Sequence, residues 1–286
     1  HNLKPQNTKL IIFYKREYMK KIALLILSTI VFGCITDDGL TDKTEYSKFI
    51  IGNSIATGIN FMPEEIYSTN EVQKPLLKLK LITSVNFPCI NYGLSISEFS
   101  NGSELIIRFD AIVKPEVCLT AIGPAISYID LPESTKKITF INGKVIDKYA
   151  IEINQEKISI TLIENNFTSS LFNKTFRIPE NSFAYVCGTN TNNTNSYDDF
   201  LTILKQNPAF TEFKFEGEGR IPYPKSSAGN WVNHPSKFFI YSDFKEFKTL
   251  ADILHDYSLK NIEKNAGVTI AIQSWNNIKY YSWINN

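Results

Sequence analysis

The sequence predicts a mainly β protein in two parts. Residues 48–178 read as a sandwich of short strands, and residues 179–286 as an α+β part with two helices packed on a sheet. Three observations carry this. Apolar residues recur at every second position through the first part, the period of a strand with one face buried. Asn-Gly pairs divide such runs, where a tight hairpin needs residues that tolerate positive φ. After Pro179 two stretches change to apolar spacings of three and four, the period of a helix buried along one stripe.

In the first part, SELIIRFDAIV at 103–113 places Leu105, Ile107, Phe109, Ala111 and Val113 on one face of a strand. YGLSISEF precedes it across Asn101-Gly102, so the two form a hairpin. Asn142-Gly143 divides KKITFI from KVIDKYAIEI in the same way, and EKISITLI at 156–163 adds another alternating strand. Short strands punctuated by turns make a sandwich or a barrel, and an immunoglobulin-like sandwich is the expected member of that class. Cys89 and Cys118 fall within this part. They either close a loop of about 30 residues or lie as two separate buried thiols, and spacing alone does not choose between these.

The second part opens with FAYVCG at 183–188, an apolar run that reads as a buried strand. Ser196, with Asp199 three residues on, is the expected cap of a first helix whose stripe is Tyr197, Phe200, Leu201 and Leu204, ending before Asn207-Pro208. FTEFKFEGEGR then alternates, with Phe213 and Phe215 inward and Glu212, Lys214, Glu216 and Glu218 outward. Leu250, Ile253, Leu254 and Tyr257 mark a second helix, with a stop at Asn265 to Gly267. GVTIAIQSW and IKYYSWI, joined at Asn276-Asn277, read as a closing hairpin.

Ahead of both parts stands MKKIALLILSTIVFGCITDD, residues 19–38. Two lysines, an apolar run from Ile22 to Phe32 and a small residue have the order of a secretory signal. The run is too short to span a bilayer, which needs about 20 apolar residues. Val31-Phe32-Gly33-Cys34 resembles the lipobox of bacterial lipoproteins, although the family prefers a small residue where Phe32 stands. That resemblance implies cleavage before Cys34, acylation of its sulfur and new amino group, and an anchor in the envelope of a Gram-negative bacterium. The protein would then sit on the outer membrane, facing the periplasm or the surface, with the bilayer as its first partner. Residues 1–18 are expected to be upstream translation, 19–33 a signal peptide and 34–47 a polar tether. Asp37 and Asp38 are similar to the acidic export signals of some surface lipoproteins.

From Cys34 onward the chain carries 24 Lys and Arg against 28 Asp and Glu. With no basic stripe to neutralise phosphates, nucleic acid is not an expected partner. No close pair of cysteines or histidines has the spacing of a metal site, and no glycine-rich loop leads into a helix as a phosphate cradle does, so no metal or cofactor is expected. Glu216 and Glu218 share a strand face with charges on either side, the composition of a solvated surface rather than of a glycosidase pair.

Two functional classes follow. In the first, the protein is a non-catalytic binding module for a protein, peptide or glycan. The stretch RIPYPKSSAGNWVNHP at 220–235 then supplies Arg220, Tyr223 and Trp231 as a charge and two broad rings. The plainer alternative has Tyr223 and Trp231 plugging the edge of the core. In the second class, the protein is an envelope cysteine hydrolase that uses Cys187 with His234 or His255 as base.

Overall fold

The computed structural model describes residues 45–226 and 232–283; the leader, Cys34 and Trp231 lie outside the described residues. The described residues from 50 onward group as one compact unit, and residues 47–49 ahead of it form a 3-10 turn. The fold is mainly β, with several sheets and two helices among the described residues.

With strands numbered along the chain, the first sheet contains β1 (Ile59–Ile66), β2 (Leu76–Phe87), β5 (Gly123–Asp130) and β9 (Thr168–Ser170), in the order β5-β2-β1-β9. The second holds β3 (Gly93–Asn101), β4 (Glu104–Val113), β6 (Lys137–Asn142), β7 (Val145–Ile153), β8 (Lys157–Glu164) and β10 (Lys174–Phe176), in the order β10-β8-β7-β6-β4-β3. The β1–β9 and β4–β6 pairs are parallel and the other pairs antiparallel. Both sheets feed one core, consistent with a β-sandwich: Phe61, Leu79 and Leu81 of the first meet Ile107, Phe109, Phe140 and Tyr149 of the second. The Phe61 ring lies 4.7 Å from that of Phe140 and 4.8 Å edge-on to that of Tyr149, whose hydroxyl donates to the Thr168 carbonyl at 2.9 Å.

Both Asn-Gly sites form hairpins one residue later than a central Asn-Gly pair requires. Asn101 pairs with Glu104 and Asn142 with Val145, so Gly102 and Gly143 take the first central position, with φ near +60°. The face expected for β4 is corrected at one point. Ser95 pairs with Ala111 but Ile96 with Phe109, so Asp110 is an extra, bulged residue. A one-residue slip exchanges the two faces of a strand. Leu105, Ile107 and Phe109 therefore point inward as expected, whereas Ile112 takes the inward place beyond the bulge and Ala111 and Val113 turn out. The bulged carboxylate is held by Arg108 Nε and by Ser97 Oγ, each at 2.7 Å.

The third sheet contains β11 (Ser182–Thr189), β12 (Phe210–Phe213), β13 (Val232–Asn233), β14 (Lys237–Tyr241), β15 (Val268–Ser274) and β16 (Lys279–Tyr281), in the order β12-β14-β11-β15-β16 with β13 also on β11. Its centre, β11, is buried throughout, which is why FAYVCG shows no alternation. Helices α1 (Asn195–Gln206) and α2 (Phe244–Asn261) cover one face, where Phe200, Leu204, Phe247 and Leu250 meet Phe183, Tyr185 and Cys187. Ser196 is not the cap of α1: it is buried inside the first turn, and Thr194 precedes the helix without a side-chain bond to it. Asp243 caps α2 instead, its carboxylate accepting from the N–H of Lys245 at 2.7 Å. The strand expected through Phe215 ends at Phe213. Beyond it the chain turns so that the Phe215 ring packs 5.1 Å from Phe176 and 5.0 Å from Phe238 on the opposite face of the sheet.

A buried ion pair ties β1 to the segment that follows β10. Glu65, on β1, accepts from Arg177 Nε at 2.9 Å and from the Ile178 N–H at 2.6 Å, and Arg177 also reaches Glu133 at 2.8 Å. Burial raises the Glu65 pKa; its bonds from Ile178 and Arg177 offset only part of that. Burial likewise pulls Arg177 down, but Glu133 and Glu65 more than reverse it. Tyr67 Oη donates to the Trp275 carbonyl at 2.8 Å, and Asn277 Nδ2 donates to Thr69 and Glu71 carbonyls at 3.1 and 3.0 Å, so contacts cross the boundary expected near Pro179 at several points. Removing one partner of a buried pair leaves the other uncompensated, whereas an exposed pair contributes little. Glu65→Ala is therefore expected to cost about 3 kcal/mol in urea unfolding. Lys74→Ala, which breaks an exposed pair with Glu180, should cost under about 0.5 kcal/mol.

Candidate functional site

The residues of the 220–226 segment are built into the molecule. Arg220 continues the edge beside β10: its N–H donates to the Lys174 carbonyl and its own carbonyl accepts from Phe176, both at 2.9 Å. Its guanidinium pairs with Glu64 of β1. Tyr223 is buried, stacked 5.6 Å from Phe238, with its hydroxyl 2.7 Å from Ser182 Oγ. Burial pushes its pKa up, and the Ser182 bond offsets only part of that. Tyr223 thus sits at the centre of the apolar cluster with Ile178, Ala184, Val186 and Phe238 that covers the face of the third sheet away from the helices. Arg220 and Tyr223 are separated in role, one tying β1 to the segment and the other filling a core.

Cys187 lies in the helix-facing core and is fully buried. Burial pushes its thiol up to about 11, with a bond from Tyr185 offsetting part. A thiol in such surroundings is protonated and unreactive at neutral pH. His234 touches Cys187 through the backbone, its N–H donating to the Cys187 carbonyl at 3.2 Å. The imidazole is stacked flat on Tyr197, centroids 4.5 Å apart, and its Nε2 is 2.9 Å from Thr189 Oγ1. Tyr197 in turn stacks on Tyr185 at 5.5 Å, so the histidine ends a column of rings rather than facing a nucleophile.

His255 belongs to another feature, a cleft of about 930 Å³ beside the last turns of α2. His255, Ser258 and Leu259 follow the helical spacing that puts three side chains on one wall. The opposite wall is the start of β15 with Ser282 and Trp283. Ser282 extends the sheet past β16, its N–H donating to the Ile270 carbonyl and its Oγ accepting from the Ile270 N–H, both at 2.9 Å. That pairing fixes the approach to Trp283, whose ring lies 4.6 Å from Tyr281.

The turn 263–267, which carries Glu263, Lys264 and Asn265, also lines the cleft. Two asparagines fasten it. Asn190 Nδ2 donates to the Ala266 carbonyl at 2.6 Å and Asn193 Nδ2 to the same oxygen at 2.8 Å, while the Asn190 N–H donates to the Gly267 carbonyl at 2.8 Å. Gly267 needs its φ of +68° to make this approach, and a Cβ there would stand 3.2 Å from the Asn190 side chain. Leu259 and Trp283 are nonetheless 70% and 54% exposed on the rim. A preformed concavity with two uncovered apolar side chains and several polar ones is what a ligand site offers. Sequence reasoning missed it because its walls come from 255–269 and 282–283, neither of which reads as a motif.

Among the described residues no three His, Cys, Asp or Glu side chains are grouped to hold a metal ion. No helix of the described residues is long and apolar enough to cross a membrane, which says nothing of strands that cross. Comparison with protein-family models, with curated proteins and with solved structures finds no match.

The raised Cys187 pKa has a consequence for alkaline stability. Between about 9 and 11 the folded chain keeps the proton that the unfolded chain loses, so stability falls as pH rises through that window. The expected loss from this thiol is roughly 2 kcal/mol. Urea midpoints at pH 8.5 and 11 should therefore separate more for the native chain than for Cys187→Ala. Folded Cys34→Ser protein at pH 8, whose remaining unbonded thiol is the buried Cys187, should leave Ellman's reagent unreacted.

Proposed function

We propose that the protein is a lipid-anchored envelope lipoprotein, held to the outer membrane through acylated Cys34, that binds an extended peptide or glycan without transforming it. The observation that supports this best is the cleft beside α2, where exposed Leu259 and Trp283 flank the polar side chains of Ser258, Glu263 and Lys264. The Trp283 ring offers a flat apolar surface to a sugar face or a peptide side chain, and the polar groups supply hydrogen bonds. On this reading residues 48–178 are an immunoglobulin-like sandwich that acts as a stand, and residues 179–286 an α+β domain that carries the ligand. The shared core of the first two sheets and the two helices lying on the third support that division. The parallel β4–β6 pair sets the stand apart from purely antiparallel sandwiches.

The hydrolase reading finds less support, because its nucleophile would be the buried, protonated thiol of Cys187. The binding reading is tested by capture from intact cells, followed by glycan and peptide arrays, with the native chain and Trp283→Ala. Loss of the Trp283 ring is expected to weaken binding about tenfold, of the order found for an anchoring aromatic. Equal binding by both chains would remove the cleft from the function. The anchor is tested separately: Cys34→Ser should move the protein from the membrane to the soluble fraction and abolish palmitate labelling.

A further inference from the structure

We infer that the end of the paired sheets where the chain enters them lies against a lipid bilayer, with the loop 113–122 set into its interface. The choice of a bilayer as occupant rests on the lipid-anchor reading of Cys34. Strand pairing gathers this end. Ile59 pairs with Thr83, Phe87 with Gly123 and Gly93 with Val113, and the β6–β7 turn pairs Asn142 with Val145. The start of β1 and the loops 88–92, 114–122 and 143–144 therefore share one end. The contacts of Glu65, Tyr67 and Thr69 with the third sheet's part of the chain lie at the other.

The entry end is apolar where a solvated loop would be polar. Ile90, Val113, Val117, Leu119 and Ile122 are between 48% and 76% exposed. Val113 is among them because the Asp110 bulge turned it outward. Contiguous exposed apolar side chains mark a surface that meets a partner or a membrane.

The loop is held in shape. Cys89 and Cys118 are bonded, with Cα atoms 5.2 Å apart. Asn91 donates from Nδ2 to the Val117 carbonyl at 2.7 Å and accepts at Oδ1 from the Leu119 N–H at 3.1 Å. The Leu119 carbonyl accepts from Ala121 at 2.8 Å and from Ile90 at 3.3 Å. Backbone groups paired within the loop lower the cost of placing it where water is scarce. Exposed Lys114 and Lys144 stand at the same end, where they can meet lipid phosphates, together with exposed Glu116 and Glu164.

Chain length selects the occupant. Asn53 and Ser54 pack against Gly143 at this end, 19 residues after Cys34, and 19 residues reach at most about 65 Å when fully extended. Acyl chains on Cys34 and apolar side chains on loop 113–122 would thus reach one and the same bilayer. Two weak membrane contacts in one chain reinforce each other, as a single lipid chain with a second signal does.

The test uses the full chain on vesicles of phosphatidylethanolamine and phosphatidylglycerol with brominated acyl chains. Val117→Trp places a reporter at the loop tip, and its emission is read as the difference from the native chain. The expected result is at least twofold quenching by the brominated lipid, and at least fivefold weaker vesicle binding when Val117→Asp and Ile122→Asp are added to a Cys34→Ala chain. Absence of quenching overturns the inference, whether or not mass spectrometry finds Cys34 acylated. Quenching with an unmodified Cys34 would instead sustain the loop contact and refute the anchor. A dimer in sedimentation that the double aspartate substitution abolishes would assign this face to a second copy and overturn the bilayer reading.

Discussion

The Glu65 carboxylate is the constraint that fixes where the chain leaves the paired sheets on its way to the third. It is nearly inaccessible to water, yet it accepts from a backbone N–H and from a guanidinium that belong to the segment leading out of the second sheet toward the third. A carboxylate taken out of water costs several kcal/mol unless its lone pairs are met, so the position of residues 177 and 178 against β1 is fixed by chemistry rather than by shape alone. Arg220 repeats the device one position earlier on β1 by pairing with Glu64, to which Lys80 also comes within 3.6 Å. Two adjacent acids on one strand thus hold two separate stretches of chain.

From that joint the third sheet is laid out with both faces covered. Helices close one face with aliphatic and aromatic residues. Among the described residues no helix lies on the other face, and the end of β12 with the stretch after it takes that place, contributing Phe213, Phe215, Ile221 and Tyr223. This explains why a stretch rich in prolines, glycines and aromatics occurs where no regular element can form. Its rings serve as the second lid of a sheet, and its turns at Gly217 and Gly219 let the backbone run against Lys174 and Phe176.

Much of the fold was legible as period. Phe200 and Leu204 on one helix, Leu250 and Leu254 on the other, and Leu105, Ile107 and Phe109 on β4 lie on the buried faces that their spacing indicates. Where the reading departs from the structure, a single residue decides. Asp110 adds one position to β4 and reverses the three side chains beyond it, and no count of apolar residues reveals that, since the bulge is held by Arg108 on the same strand and by Ser97 across the hairpin. Ser196 has the chemistry of a cap but Asp243 has the geometry, because only the latter sits in an extended conformation ahead of its helix. The site was less legible. Tyr223 carried the composition of a contact residue and proved to be a core residue, while Leu259, with nothing to distinguish it in the sequence, stands uncovered in the cleft beside α2. Burial of a ring depends on what the rest of the chain brings to it, and that information is not local.

The two Asn-Gly turns also differ in how they age. A glycine after asparagine lets the next backbone nitrogen attack the side-chain amide, forming a cyclic imide that opens to aspartate or isoaspartate. Asn142 is shielded from this, since its amide is engaged at both atoms by Ile55, accepting from the N–H at 2.8 Å and donating to the carbonyl at 3.0 Å. Asn101, in the same sequence context, is exposed at the opposite end of the paired sheets. Slow deamidation will therefore accumulate at residue 101, adding negative charge at the end away from the mouth of β1 and leaving the turn that holds Ile55 intact.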